Sequence, residues 1–463
     1  MNRLRLALIA WACCVASTTL HAADTIAFAD VTVVDVVRGV LVPDQTVVVY
    51  GGRIDRMGPA DDVPLDREVL VIDAEGAFLI PGLWDMHVHH IEDHATLPLY
   101  LVHGVTGVRA MGGDPEACVD TREAITRREL LGPRIATAGA FLDGRWPGEE
   151  RWVVKTADEA LRAIERLDAL GVDFVKVHET VPREAYDAVL ELAPEFGLDV
   201  AGHVPQAVTY AEAVAAGQAS LEHANQMAER NLGEGATDSQ AALEAAVQAF
   251  AEGEGAALFA AMVEQGTAFT PTLVAHAGIL HGADPESGVW DDPRLAWAPP
   301  ALVNEWRTTL PVDQLPADFV PQRRLVDRAA RGLVAAAQRA GVTLLAGSDV
   351  GAPHVYPGSS LADELQALVD AGLSPAEALR AATRAPAVFL DLEDQLGEIV
   401  PGRIADLVLL DADPLQDIGA VRSVRAVMTR GQLLDRATLD ALRDEAAAVV
   451  EAAIEVEADS AER

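Results

Sequence analysis

A chain of 463 residues, half of them hydrophobic, can bury a large core, and its length admits one large α/β domain with an appended unit or two to three smaller domains. Its formal net charge of −37, uninterrupted by any basic run, disfavours binding to nucleic acid or to an anionic membrane surface. Three cysteines are too few for a disulfide framework, so stability has to come from the core.

Residues 1–23 follow the three-part plan of a secretory signal peptide: Arg3 and Arg5, the apolar run 6–15, then small residues ending Leu20-His21-Ala22-Ala23. The run is too short for a permanent membrane span. Export to a periplasm or beyond is therefore expected, with cleavage near Ala22 or Ala23 and no membrane contact afterwards. Cleavage removes Cys13 and Cys14 and leaves Cys118 alone, as a buried small hydrophobe.

Residues 24–80 carry short β-branched runs, such as Thr46-Val47-Val48-Val49-Tyr50, separated by Gly, Pro and Asp turns, and residues 394–437 repeat that style. Two β-rich segments flanking a long α/β stretch most simply pair, giving one small β-sandwich domain built from both ends. Between them, over 81–393, strands are expected at 83–89, 105–111, 134–138, 174–178, 199–203, 220–223, 268–273 and 343–348, with helices such as 157–170, 183–196 and 210–216 intervening. Eight strands alternating with helices predict an α/β fold of the (β/α)8 barrel type, which keeps its chemistry at the C-terminal strand ends. The Pro- and Trp-bearing stretch 276–322 reads as a lid or surface excursion, and 438–463 as an acidic, solvated helical tail.

The residues that carry chemistry fall at those strand ends. His87 and His89 stand two positions apart after the turn Pro81-Gly82, and side chains at i and i+2 of a strand share a face, a natural metal pincer. Lys176 and His178 share a phase opposite to Val175 and Val177, which turns them inward. A lysine held inside a barrel is costly as an ammonium, but when neutral it can react with CO₂ and become a carboxylate that bridges two cations. Ala201-Gly202-His203, Leu221-Glu222-His223 and Gly347-Ser348-Asp349 end later strands. Each alone is most simply a satisfied polar residue; six ligand-type residues on one face make coincidence the weaker account.

In that order the chain resembles the amidohydrolase superfamily. The motifs Pro81-Gly82-Leu83-Trp84-Asp85-Met86-His87-Val88-His89, Gly202-His203-Val204-Pro205, Ser220-Leu221-Glu222-His223, Ala346-Gly347-Ser348-Asp349 and Gly402-Arg403-Ile404-Ala405-Asp406-Leu407 are similar to the branch of imidazolonepropionase-related proteins and metal-dependent prolidases. The resemblance implies two divalent ions, with His87, His89 and Asp349 on one, His203 and His223 on the other, and carboxylated Lys176 between them. Nitrogen and carboxylate donors suit Zn²⁺ first, with Mn²⁺, Fe²⁺ and Co²⁺ compatible. It departs from the branch at Ala110, where relatives carry Asp, and at Ala362, where His is frequent.

The expected activity is hydrolysis of an amide in a small substrate, with Asp349 as general base and then acid to the leaving amine. An N-acyl amino acid or a dipeptide fits, with His178 and Trp146 near it and Arg109 or Arg145 as the nearest cations for a free carboxylate. Trp152 shares the loop with Trp146. Alternatives stay open: a mononuclear deaminase or cyclic-amide hydrolase using His87, His89, His203 and Asp349, a lactonase, or a scaffold without activity. A homo-oligomer also stays open.

Overall fold

The computed structural model describes residues 25–233 and 239–461. The expected leader, with Cys13 and Cys14, lies outside them. Among the described residues no helix is long and apolar enough to cross a membrane.

The fold is mixed α/β. Five strands open it: β1 (Thr25–Asp35), β2 (Val40–Tyr50), β3 (Arg53–Pro59), β4 (Leu70–Asp73) and β5 (Phe78–Pro81). Nine short strands alternate with helices through the middle: β6 (Leu83–Val88), β7 (Val105–Ala110), β8 (Arg134–Thr137), β9 (Phe141–Asp143), β10 (Arg151–Val153), β11 (Phe174–Val177), β12 (Asp199–Gly202), β13 (Ser220–Glu222) and β14 (Ala268–Thr270). Three close it: β15 (Leu407–Leu410), β16 (Val424–Thr429) and β17 (Gln432–Leu434).

Strands from both ends of the chain share one eight-stranded sheet, in the order β17-β16-β15-β5-β1-β2-β3 with β4 beside β1. The seam is antiparallel, Val408 facing Ile80 and Leu409 facing Leu79. Alternation along β1 and β2 turns Phe28, Val31, Val33, Val47 and Val49 into a core of their own with Leu407, Leu409 and Met428. The middle strands are parallel, in the orders β6-β7-β8 and β10-β9-β11-β12-β13-β14. Their apolar residues form the main core with the surrounding helices, and this burial on both faces explains why the strands read as near-continuous Val, Ile and Leu runs.

The segment 343–348 differs from the strand expected there. It forms no regular ladder but bonds alternately to two neighbours: Phe269 N donates to Thr343 O and Leu345 N to Phe269 O, while Met86 N donates to Ala346 O. Its position between β14 and β6 demands partners on both sides, and β6 is itself irregular, shifting register against β7. On the other flank Asp173 N donates to Thr137 O, tying the start of β11 to β8. The short β9 and β10 were not expected; three residues each are too few to stand out in the sequence, and they bracket the Trp-bearing loop.

Two other segments depart from expectation. The tail is a helix, Arg436–Ala461, but it is not simply solvated: Leu439, Ala446 and Val450, on one helical face, are buried, and the helix packs on the helix Leu97–Val102. The stretch 276–322 holds the helix Pro300–Thr309, whose Trp306 is buried and donates through Nε1 to Gly351 O at 3.0 Å, two residues past Asp349. Trp306, Trp290 and Tyr356 surround His354, so the insert buttresses the loop that carries Asp349.

Beneath the site, Glu364 on the helix Ser359–Asp370 is fully buried and accepts a hydrogen bond from Val274 N at 2.8 Å, at the start of the helix Leu273–Ala283. Burial pushes its carboxyl from 4.5 up to about 8, against the opposing pull of those backbone N–H groups. The folded chain therefore holds a proton that the unfolded chain releases, and stability from this group falls as pH rises from about 4.5 through 8. Glu364→Gln keeps an acceptor and cannot ionise. Its unfolding free energy relative to wild type, read from melting curves, is expected to rise between pH 5 and pH 9, with a limiting slope of about 1.4 kcal/mol per pH unit. Parallel melting curves across that range would refute the buried proton.

Candidate metal centre

His87 and His89 are delivered as their spacing predicts. Their rings lie 5.5 Å apart, and both Nε2 atoms stand 3.4 Å from Asp349 Oδ1. A ligand atom from each of His87, His89 and Asp349 lies within 4.8 Å of the other two, a spacing that can hold a metal ion. His223 follows at 4.8 Å ring to ring from His87, with Nδ1 3.8 Å from Asp349 Oδ2. His203 lies 4.5 Å from His223, and His178 4.3 Å from His203, so the five rings make one continuous wall.

Two of these side chains reach the wall only through unusual backbone. His223 has φ 67° and Asp349 φ 63°, both in the left-handed region, which costs a non-glycine residue about 1–3 kcal/mol and persists where surrounding structure imposes it. Here the imposing bonds are visible. Asp349 N donates to His87 O and His223 N to Thr270 O, while Asp85 accepts from Ser348 N at 2.8 Å and Ser348 Oγ at 2.5 Å. Burial raises the Asp85 carboxyl to about 7, and the Ser348 bonds pull the other way.

Lys176 is 1% exposed, and its Nζ makes no hydrogen bond among the described residues. Burial lowers it to about 8. Gly202, at φ 125°, leaves room for it: a Cβ there would meet Lys176 Cδ at 2.7 Å and strike the Val177 carbonyl oxygen. His87 Nε2 and His203 Nδ1 are likewise buried without a partner. Burial, with Lys176 beside it, holds His87 well below its ordinary pKa; burial and then His223 do the same for His203, and burial brings His223 to about 4. Neutral imidazoles with bare nitrogens, an unpartnered amine and a carboxylate fit divalent cations: buried polar atoms without partners are rare, and here several converge on one space.

A layer behind the ligands escaped sequence reasoning. His87 Nδ1 bonds Glu222 Oε2 at 2.9 Å, and Glu222 Oε1 accepts from Arg109 at 2.8 Å and from Ser220 Oγ at 2.5 Å. A carboxylate on one ring nitrogen fixes the tautomer and leaves the other nitrogen as the ligand atom. The signal was present, since Ser220 and Glu222 share an inward phase on a buried strand. Arg109 belongs to this layer instead of greeting a substrate. It is fully buried, with Nε on Met86 O at 2.7 Å and its remaining nitrogens on Ser220, Glu222 and Thr270, because it stands inside β7 and not beyond its end.

The other residues expected near a substrate lie on the rim. His178 Nδ1 is 3.8 Å from Asp143 Oδ2, and burial, then Lys176, brings its pKa to about 4. Trp146 is half exposed, with the exposed Arg145 stacked on it at 5.6 Å. Trp152 turns back onto the protein, its ring 4.2 Å from the Arg166 guanidinium.

The amidohydrolase family model matches residues 78–434, most of the chain and every residue of the site. The chain is 28% identical over 405 residues to imidazolonepropionase from Micrococcus luteus, covering 83% of this chain and 91% of that one, and 26% identical over 425 residues to imidazolonepropionase from Symbiobacterium thermophilum, covering 85% and 91%. Among solved structures it is similar to bottromycin amidohydrolase, with a TM-score of 0.71 at 23% identity over 93% of this chain and 94% of that one. It is also similar to a Xaa-Pro dipeptidase with bound methionine in the active site, with a TM-score of 0.67 at 21% identity over 89% and 100%. With the matched model spanning the ligand cluster, the layer behind it and the strands that carry both, the chain belongs to the amidohydrolase family and is a hydrolase of carbon–nitrogen bonds.

Proposed function

We propose that the chain is an exported, two-metal amidohydrolase that cleaves the amide bond of a small N-acyl amino acid or dipeptide, including dipeptides ending in proline. In this reading the parallel strands close as a (β/α)8 barrel, with the segment 343–348 as the eighth strand between β14 and β6, and the sheet shared by the two chain ends folds as a β-sandwich. The bonds of 343–348 to both neighbours support the closure.

The observation that carries the two-metal reading is Lys176, buried and unpartnered among His87, His203 and His223. Its neutral amine adds CO₂ and releases a proton, leaving a carbamate with two oxygens. His87, His89 and Asp349 would hold one ion, His203 and His223 the second, and carboxylated Lys176 would join them; Zn²⁺ suits these donors best. When bound, such ions acidify a water and polarise the scissile carbonyl. Asp349 takes the proton from the attacking water and passes it to the leaving nitrogen, which would otherwise depart as a very poor amide anion. Glu222, held by Arg109, keeps His87 in one tautomer. In this reading His178 and the loop bearing Trp146 would contact a substrate side chain.

A second reading is a one-metal cyclic-amide hydrolase, and the imidazolonepropionases among the relatives favour its cyclic-amide substrate. Metal analysis of purified protein separates the two: about two equivalents per chain support the first and one supports the second. A substrate screen across dipeptides, N-acyl amino acids, lactones and cyclic amidines then tests the chemistry. Turnover confined to lactones or to deamination would overturn the amide assignment.

A further inference from the structure

Arg151 opens β10, its guanidinium 4.8 Å from the Phe141 ring. That ring in turn lies 5.4 Å from His178, the next histidine along from His203. A Cβ at Gly112 would meet both the Phe141 ring and His89 Nδ1, so the ring that Arg151 stacks on borders both His178 and His89. Arg151 NH1 stands 3.7 Å from Asp143 Oδ2, the same oxygen that faces His178 Nδ1 at 3.8 Å.

Asp143 is rigid. It is fully buried, and its Oδ1 accepts from Gly144 N, Arg145 N and the Thr180 hydroxyl. Among the described residues its Oδ2 has no hydrogen bond, which leaves the Arg151 guanidinium and the neutral His178 ring oriented by it but not saturated. Among the described residues the Arg151 guanidinium donates no hydrogen bond, and its side chain is 29% exposed. It is therefore anchored on one edge and open on another. The two arginines expected to meet a carboxylate do not share this geometry: Arg109 is fully engaged in the interior, and Arg145 is exposed on Trp146.

We propose that Arg151, held by Asp143, is the specificity residue that receives a free carboxylate of the substrate through the open edge of its guanidinium fork. A planar fork against a carboxylate gives paired charge-assisted hydrogen bonds, and a site wall shielded by Phe141 strengthens them. A local cation is needed, because a chain of net charge −37 offers an anion no long-range attraction.

The test rests on the amide-hydrolase reading only in its choice of probes. N-acetyl-L-leucine and its decarboxylated counterpart, N-isopentylacetamide, differ only in the carboxylate. The metal-loaded wild type should prefer the acid in kcat/KM, and Arg151→Gln should lower that preference ratio about 10- to 100-fold, as expected for hydrogen bonds to a charged group. Arg151→Lys, which keeps the charge and loses the fork, should fall between them. Calorimetric binding of the same pair reads the preference whether or not either compound is turned over. A wild type without preference for the acid overturns the proposal, as does an unchanged ratio in both variants. Absence of amide turnover with a preserved binding preference would instead sink the amide reading and leave Arg151 in place.

Discussion

Lys176→Ala is expected to lose at least one metal equivalent and nearly all activity. The side chain is buried beside the wall of imidazoles, it has no hydrogen-bond partner among the described residues, and Gly202 is shaped around its methylenes. Burial disfavours an ammonium there even with the Glu222 and Asp349 carboxylates nearby, and conversion to a carbamate replaces that positive charge by a negative one which cations can bind. Truncation leaves a gap that short carboxylic acids such as acetate or propionate can enter, so partial rescue by them is expected. Metal content is the primary readout, because it does not depend on the choice of substrate. Full occupancy in the mutant would remove Lys176 from the bridge.

Asp349→Asn should keep much of the metal while turnover falls about 10²- to 10⁴-fold, the range for deleting a general acid–base. Burial works against the Asp349 charge, yet His87, His89 and His223 around it hold its carboxyl well below the usual range, so it is ionised and able to accept a proton at neutral pH. Asparagine preserves the volume and one oxygen donor but cannot carry the proton. The backbone at 349 tolerates this change better than most, since Asn, like Asp, enters the left-handed region more readily than other side chains. A variant within a few-fold of wild type would take the proton shuttle away from Asp349.

The sequence by itself determined which side chains meet at the candidate site, their order and most of the strands. His87 and His89 share a face because strand side chains alternate, and Lys176 and His178 do so for the same reason; these are local facts that hold in any fold that keeps the strand. The pairing of the two β-rich ends also followed from composition, since each lone set of half-apolar strands needs a partner face. What only the tertiary structure decided are the positions set by bonds between distant segments. By strict alternation His223 would point away from Glu222, and the turn at φ 67° reverses it; Asp349 depends in the same way on Asp85, 264 positions earlier, gripping Ser348. Arg109 and Arg151 are both arginines near strand ends, and strand alternation alone names a partner for neither. Arg109 meets a buried carboxylate and disappears into the support of His87, whereas Arg151 meets a carboxylate already occupied by others and keeps an edge free. Burial and the count of competing donors separate the two roles, and both are properties of the packed molecule.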